Sequence, residues 1–202
     1  MLKASARKFF DDKFTTSTLH TLVAGDHRPE RDNACHWDSG LWREMIDLGW
    51  TMLAVPESAG GVGMPAVAVA GLAEELGRAA FPCPLLGTIN ATWVLNACGA
   101  GAEKALGEIV EGQSATLAIT NQAGSWSPGD TDVSCEQGKL SGTAWYVQDA
   151  RKAQRLLVSA RTASGLGLYW VAADAPGVVI HADTIVDLTR DQAHVSFDGV
   201  AA

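Results

Sequence analysis

Gly60-Gly61-Val62-Gly63, shortly before a helix opened by Pro65, is the first candidate for chemistry in this 202-residue sequence. Glycines ahead of a helix leave backbone N–H groups free to hold an anion such as a phosphate. The spacing is neither G-x-x-x-x-G-K-[ST] nor G-x-G-x-x-G, and a tight turn without ligand is the better reading of the four residues alone. Glu57, Glu74 and Glu75 flank them and read as solvated or capping residues rather than as a catalytic base. Cys35, Cys83, Cys98 and Cys135 form no C-x-x-C pair. The five histidines (20, 27, 36, 181 and 194) include no i, i+4 pair, so no metal site is expected. The cysteines read as small apolar residues kept as reduced thiols. Seven tryptophans are enough for a ligand cage, but core and edge packing is the favoured reading.

The elements that must position these residues change character near residue 113. Upstream the apolar spacing is helical. Helices are expected from Leu2 to Phe14 and over 17–24, with a polar loop, GDHRPERDNACHW, after them. Asp38 and Ser39 offer N-caps for a helix through Leu48. TMLAVPE is expected as a short extended piece. Pro65 suits the first turn of the next helix, where Glu74 and Arg78 sit four apart and can pair. Phe81-Pro82-Cys83-Pro84 ends it, and further helices are expected near 85–98 and 102–111. Downstream, ATLAIT, DVSCEQ, KLSGTAWYV, RLLVSAR, LGLYWVAA, GVVIHA and HVSFDGV are strand-like runs. Glu136-Gln137-Gly138-Lys139 suits a hairpin. The expected fold is therefore α+β: an all-helical domain over 1–112, then an antiparallel β-sandwich or barrel over 113–202.

A formal net charge of −8 argues against a nucleic-acid partner. No apolar run approaches the roughly 20 residues that span a bilayer. The start, MLKASARKFFDDKF, has no apolar h-region, and a cytoplasmic location is the expectation.

Taken in order, several stretches resemble the acyl-CoA dehydrogenase family. The family's first domain commonly reads L-G-(W/L)…P-E-x-x-G-G-x-G, then a helix with E-E-(L/I)-(G/A)-R. Here those positions are Leu48-Gly49-Trp50, Pro56-Glu57, Gly60-Gly61, Gly63 and Glu74 to Arg78. The family's β-domain opens with A-x-T-E-P-x-A-G-S-D, matched by Ala118 to Trp126. G-x-K-x-(W/F)-(I/V)-T-N/D-A is matched by Gly142 to Ala150. RLLVSAR and LTRDQAHVSFDGV are similar to later β-domain strands. No single motif decides the resemblance; their order makes it specific.

The resemblance implies FAD as cofactor and an acyl-CoA as substrate. FAD takes a hydride from the β-carbon while a carboxylate removes the α-proton. It implies that Thr120 and its neighbouring backbone hydrogen-bond the pyrimidine edge of the flavin. Ser125 would contact cofactor or acyl-CoA near the phosphates. Tyr146 falls where the family has Trp or Phe against the ring, and Gln148 where it often has Thr. On their residue types alone, Thr120 is a strand-end residue, Ser125 a turn residue, and Trp145 and Tyr146 sheet aromatics. The chain departs from the pattern at Asn121, Gln122, Trp126 and Ala144, and its first β-domain segment is one residue shorter. In the family the catalytic Glu lies in a C-terminal four-helix domain that follows the β-domain, so no residue of this chain is assigned as the base. The implied partners are electron-transfer flavoprotein or another acceptor and, at full length, a homo- or hetero-oligomer. Three alternatives stay open: a non-catalytic partner subunit of a heteromeric acyl-CoA dehydrogenase, a flavin monooxygenase on the same scaffold, and an α+β binding module without flavin.

Overall fold

The computed structural model describes residues 1–24 and 35–202; the expected loop at 25–37 lies mostly outside the described residues. The chain forms two compact units, Met1–Gly112 with Val186–Thr189, and Gln113–Ile185 with Arg190–Ala202.

The first unit is helical: α1 (Leu2–Lys13), α2 (Thr16–Ala24), α3 (Ser39–Asp47), α4 (Ala66–Ala79), α5 (Leu85–Cys98) and α6 (Glu103–Val110). Asp38 caps α3, its carboxylate accepting the Leu41 N–H at 2.9 Å. TMLAVPE is not extended: it is a run of turns leading into a 3-10 turn at Glu57–Ala59. Burial explains why it coils. Trp50, Leu53, Ala54 and Val55 all enter the core, which an alternating strand would not allow. Phe9, Phe10, Phe14, Trp50 and Phe81 form a chain of aromatic contacts in that core.

The E-E-L-G-R stretch of α4 locks α1 onto α4. Glu75 is not solvated: it is fully buried. Its carboxylate accepts from Arg7 of α1 at 2.9 and 3.1 Å and from Arg78 at 2.7 Å. The expected Glu74–Arg78 pair does not form. Arg78 instead spans Glu75 and Asp11, and Glu74 pairs with Lys3. The reason is burial: the one carboxylate removed from water takes both guanidinium groups, and the exposed one takes a lysine.

The second unit holds seven strands: β1 (Ala115–Ala118), β2 (Val133–Glu136), β3 (Lys139–Gln148), β4 (Arg155–Thr162), β5 (Gly165–Ala172), β6 (Val178–Ala182) and β7 (Gln192–Ala201). Their order is β1-β4-β2-β3-β7-β6, and off this path β5 pairs with β4. The helix-then-strand order is the expected α+β arrangement. In one respect the sheet differs from the expected antiparallel form. It is mixed, because β1 runs parallel to β4, and β2 touches β4 in parallel at Ser134 and Arg161. A backbone bridge between Thr120 and Trp145 then joins the end of β1 to β3, closing β1, β4, β2 and β3 into a ring. Closure of this kind removes strand edges. The β2–β3 hairpin turns on Gln137 (φ 51°) and Gly138 (φ 73°), the left-handed pair of a two-residue hairpin. On β5, Leu166 and Leu168 are exposed.

After β3 the chain turns a corner built on two ion pairs. Asp149 and Lys152 are both buried and meet at 2.7 Å. Arg151 binds the buried Asp191. Burial pushes the Asp149 carboxyl above its usual range, against the opposing pull of Lys152.

Two measurements test these buried charges. The Arg7 and Arg78 hydrogen bonds hold the Glu75 carboxyl at about 2, against an ordinary 4.5. A depressed carboxylate stabilises fully above its unfolded value and loses that contribution as the pH falls through the folded one. Glu75→Gln should therefore lower the Tm at pH 7 by about 5 °C or more. It should also flatten the loss of stability between pH 4.5 and about 2. An equally steep acid transition in the variant would refute the assignment. Lys152→Ala strands Asp149 and is expected to cost about 3–5 kcal/mol in urea denaturation. Asp149→Asn should cost a similar amount: Asn tolerates the left-handed backbone there (φ 53°), but the buried Lys152 ammonium loses its counter-charge.

Candidate functional site

The Gly60–Gly63 loop spends its donors on its own chain. The N–H groups of Gly61, Val62, Gly63 and Met64 go to the carbonyls of Pro56, Met52, Val55 and Leu53. A Cβ on Gly61 would lie 2.2 Å from the Val55 carbonyl oxygen, so that glycine serves a close backbone approach rather than an anion. Of the neighbouring acids, Glu57 and Glu74 are exposed and Glu75 is held ionised by two arginines. A carboxylate titrating at about 2 is a poor proton acceptor at neutral pH. Among the described residues no group of three His, Cys, Asp or Glu side chains is placed to hold a metal ion.

The β unit gathers a different set. Thr120, buried just beyond β1, accepts the Trp145 N–H on its carbonyl at 2.9 Å. Four residues earlier, the Thr116 hydroxyl donates to the Gln148 carbonyl at 2.7 Å. The exit of β1 therefore lies along the end of β3. At that point β3 carries a bulge: Ala144 pairs Val195 and Val147 pairs Ala193, so β3 has one residue more than β7. Tyr146 takes up the extra step with φ 54°. A bulky residue in that region costs on the order of 1–3 kcal/mol and marks a place worth examining for function. The bulge turns both Trp145 and Tyr146 out of the sheet between buried Ala144 and Val147. A regular strand would have sent one of them inward.

Tyr146 is 44% exposed, and its hydroxyl donates to the Gln122 carbonyl at 3.0 Å. It thereby fastens β3 to the turn that follows Thr120. Trp145 stacks on His194 of β7, and His194 stacks on His181 of β6, at 5.0 and 4.8 Å between ring centroids. Asp183 holds His194 Nδ1 at 2.9 Å. Ser125 lies in the turn itself, where its hydroxyl donates to Asp130 Oδ2 at 2.6 Å and its N–H donates to Asn121 Oδ1 at 2.8 Å. The structure thus brings Thr120, the Ser125 turn and Tyr146 together around one loop. Gln148 sits two residues further along β3 with its side chain exposed, tied in through its backbone.

Sequence reasoning missed Asp130 and Asp132. Their only signal was a pair of acids in a Pro-Gly-Asp-Thr-Asp run soon after Ser125. It also missed the Trp145–His194–His181 row, since three strands must align before those rings meet.

A helical unit followed by a small mixed β unit is an arrangement that known proteins share. Residues 1–112 match the model for the acyl-CoA dehydrogenase N-terminal domain. Acyl-CoA dehydrogenase FadE27 of Mycobacterium tuberculosis is 30% identical over 174 residues, covering 81% of this chain and 45% of that protein. Acyl-CoA dehydrogenase IpdE2 of the same organism is 38% identical over 101 residues, 47% of this chain and 32% of that one. Among solved structures, the Tcur3481-Tcur3483 steroid ACAD superposes with a TM-score of 0.80 at 29% identity, over 98% of this chain and 54% of that one. The ChsE4-ChsE5 complex from Mycobacterium tuberculosis does so with 0.80 at 26% identity, over 100% and 54%. This chain belongs to the acyl-CoA dehydrogenase family. It spans about half the length of the solved relatives it matches.

The Tyr146 tether is testable without any ligand. Tyr146→Phe should cost about 0.5–1.5 kcal/mol of stability. It should also speed hydrogen exchange at the amides of residues 122–127, read by mass spectrometry. Unchanged exchange there would show that the turn does not depend on the hydroxyl.

Proposed function

We propose that the chain forms the helical and β portion of an FAD-dependent acyl-CoA dehydrogenase, which desaturates an acyl-CoA thioester between Cα and Cβ. The observation that carries this is the Tyr146 bulge beside buried Thr120, at the two positions where the family resemblance puts the flavin ring. The bulge presents an aromatic face at a strand end, and Thr120 brings polar backbone and a hydroxyl alongside it. These residues would suit the ring end of a flavin: Tyr146 would pack on it, Thr120 would hydrogen-bond its pyrimidine edge, and Gln148 lies within the same strand end. FAD, when bound, supplies the hydride acceptor. The chain's own part is to orient the ring and to screen it from water on the β side.

The α-proton needs a base. Glu57 and Glu74 lie exposed on the helical unit, and Glu75 is locked between arginines. We assign the base to the portion of the family's length that this chain does not span, or to a partner chain. A heteromeric arrangement has specific support: two of its solved relatives are named as the Tcur3481-Tcur3483 steroid ACAD and the ChsE4-ChsE5 complex. The first of those names also supports a bulky, sterol-derived acyl group as the substrate. Electrons would pass to electron-transfer flavoprotein or a similar acceptor, in the cytoplasm.

The 202-residue chain should show no acyl-CoA oxidation on its own with a panel of straight-chain and sterol-derived acyl-CoAs and an artificial electron acceptor. Activity should appear when it is co-expressed with a dehydrogenase subunit that contributes the base. Robust turnover by the lone chain would overturn the assignment of the base. Substrate-dependent oxygen consumption would favour a monooxygenase instead.

A further inference from the structure

β6 and β7 pair in antiparallel register with His181 directly opposite His194. The two imidazoles are nearly parallel, 11° apart, with ring centroids at 4.8 Å. Asp183, two residues beyond His181, holds His194 Nδ1 with Oδ1 at 2.9 Å, and its Oδ2 accepts from Gln192 Nε2 at 3.1 Å. The Asp183 N–H donates to the Gln192 carbonyl at 2.9 Å, so backbone and side chain together fix the carboxylate behind the His194 ring.

An ionised Asp183 can only accept, so the proton of a neutral His194 stays on Nδ1 and Nε2 keeps a bare lone pair. A carboxylate placed behind an imidazole in this way is the arrangement that orients histidines toward a metal ion. His181 supplies the second donor: it is exposed, with no hydrogen bond to its ring among the described residues. Imidazole nitrogens suit Zn2+, Ni2+ and Cu2+, whereas Mg2+ prefers oxygen ligands. At Zn–N lengths of about 2.1 Å in a tetrahedral site, two ligating nitrogens stand about 3.4 Å apart. The rings already lie side by side, so a small turn of the exposed His181 ring brings its nitrogen into range. With Asp183 spent on His194, the protein ligands number two, and water completes the coordination. Spacing along the chain does not reveal the pair, because two strands must align before the rings meet.

We propose that His181 and His194 form a cross-strand site for a divalent ion of the zinc class, with Asp183 setting the His194 tautomer from behind. A bound ion clips β6 to β7 and stabilises the folded sheet by mass action. None of the three residues belongs to the proposed flavin site.

Zinc chloride titrated into the 202-residue chain, read by imidazole nitrogen chemical shifts and by the Tm, tests the site. Zn2+ should move the His181 and His194 resonances together and raise the Tm, and Mg2+ should do neither. Asp183→Asn keeps both ligands and should weaken zinc binding about tenfold, the usual effect of removing a partner behind a ligating histidine. His181→Ala and His194→Ala should each weaken it by more than that. His20→Ala, on the helical unit, should change nothing. His181→Gln and His194→Gln replace the alanine variants if those lose their dispersed amide spectra. Zinc that raises the Tm without moving these two rings, or that binds as tightly to both histidine variants as to the parent, would overturn the proposal and place the ion elsewhere, on a thiol for example. Two rings that stay in place throughout the titration would overturn it as well, and undiminished binding by Asp183→Asn would overturn the role given to that carboxylate.

Discussion

A carboxylate that has lost all contact with water must be answered by cations, and in the helical unit that requirement falls on Glu75. Two guanidinium groups meet it, one from three residues further along the same helix and one from the first helix of the chain. Because Arg7 is 68 residues away in sequence, the bond fixes which face of α1 lies on α4. Ala6 and Phe10 are then turned inward beside Val69 and Leu72, and the aromatic chain from Phe9 to Phe81 follows. A buried ion pair of this kind adds little net stability over a well-packed apolar contact, but it penalises every wrong register heavily.

The β unit is governed by a different constraint, the closing of a small ring of strands. Closure through Thr120 and Trp145 brings the end of β1 against β3 at the place where β3 has one residue too many. The surplus residue has to leave the sheet, and it is an aromatic. One backbone irregularity thus does two things: it lets the ring close, and it presents Tyr146 next to Thr120. The buried Asp149–Lys152 corner a few residues later turns the chain back from β3 toward β4.

Most of the elements were legible because local rules specify them. Asp38 as an N-cap, the prolines around Cys83 and the Gln137-Gly138 hairpin each act over a few residues, and all appear where the sequence places them. Partner choice was less legible. Nothing near Arg78 says that it will take Glu75 rather than Glu74; that depends on which acid α1 covers. The parallel pairing of β1 with β4 depends on strands about forty residues apart, which no periodicity encodes. In the candidate site, Thr120 and Tyr146 were legible through an ordered set of motifs. Asp130 and Asp132 were not, because a solvated acid in a Gly-Pro-rich turn looks the same whether it faces water or a neighbouring hydroxyl.

Among the described residues β5 pairs with β4, and it carries Leu166 and Leu168 outward. Exposed apolar side chains on a strand offer a place for another copy to adhere. Mutual repulsion between chains of formal net charge −8 opposes such contact, and that repulsion fades as the ionic strength rises and the Debye length shrinks to about 3 Å at 1 M salt. Dilute buffer therefore favours dispersed molecules, and added salt weakens that protection.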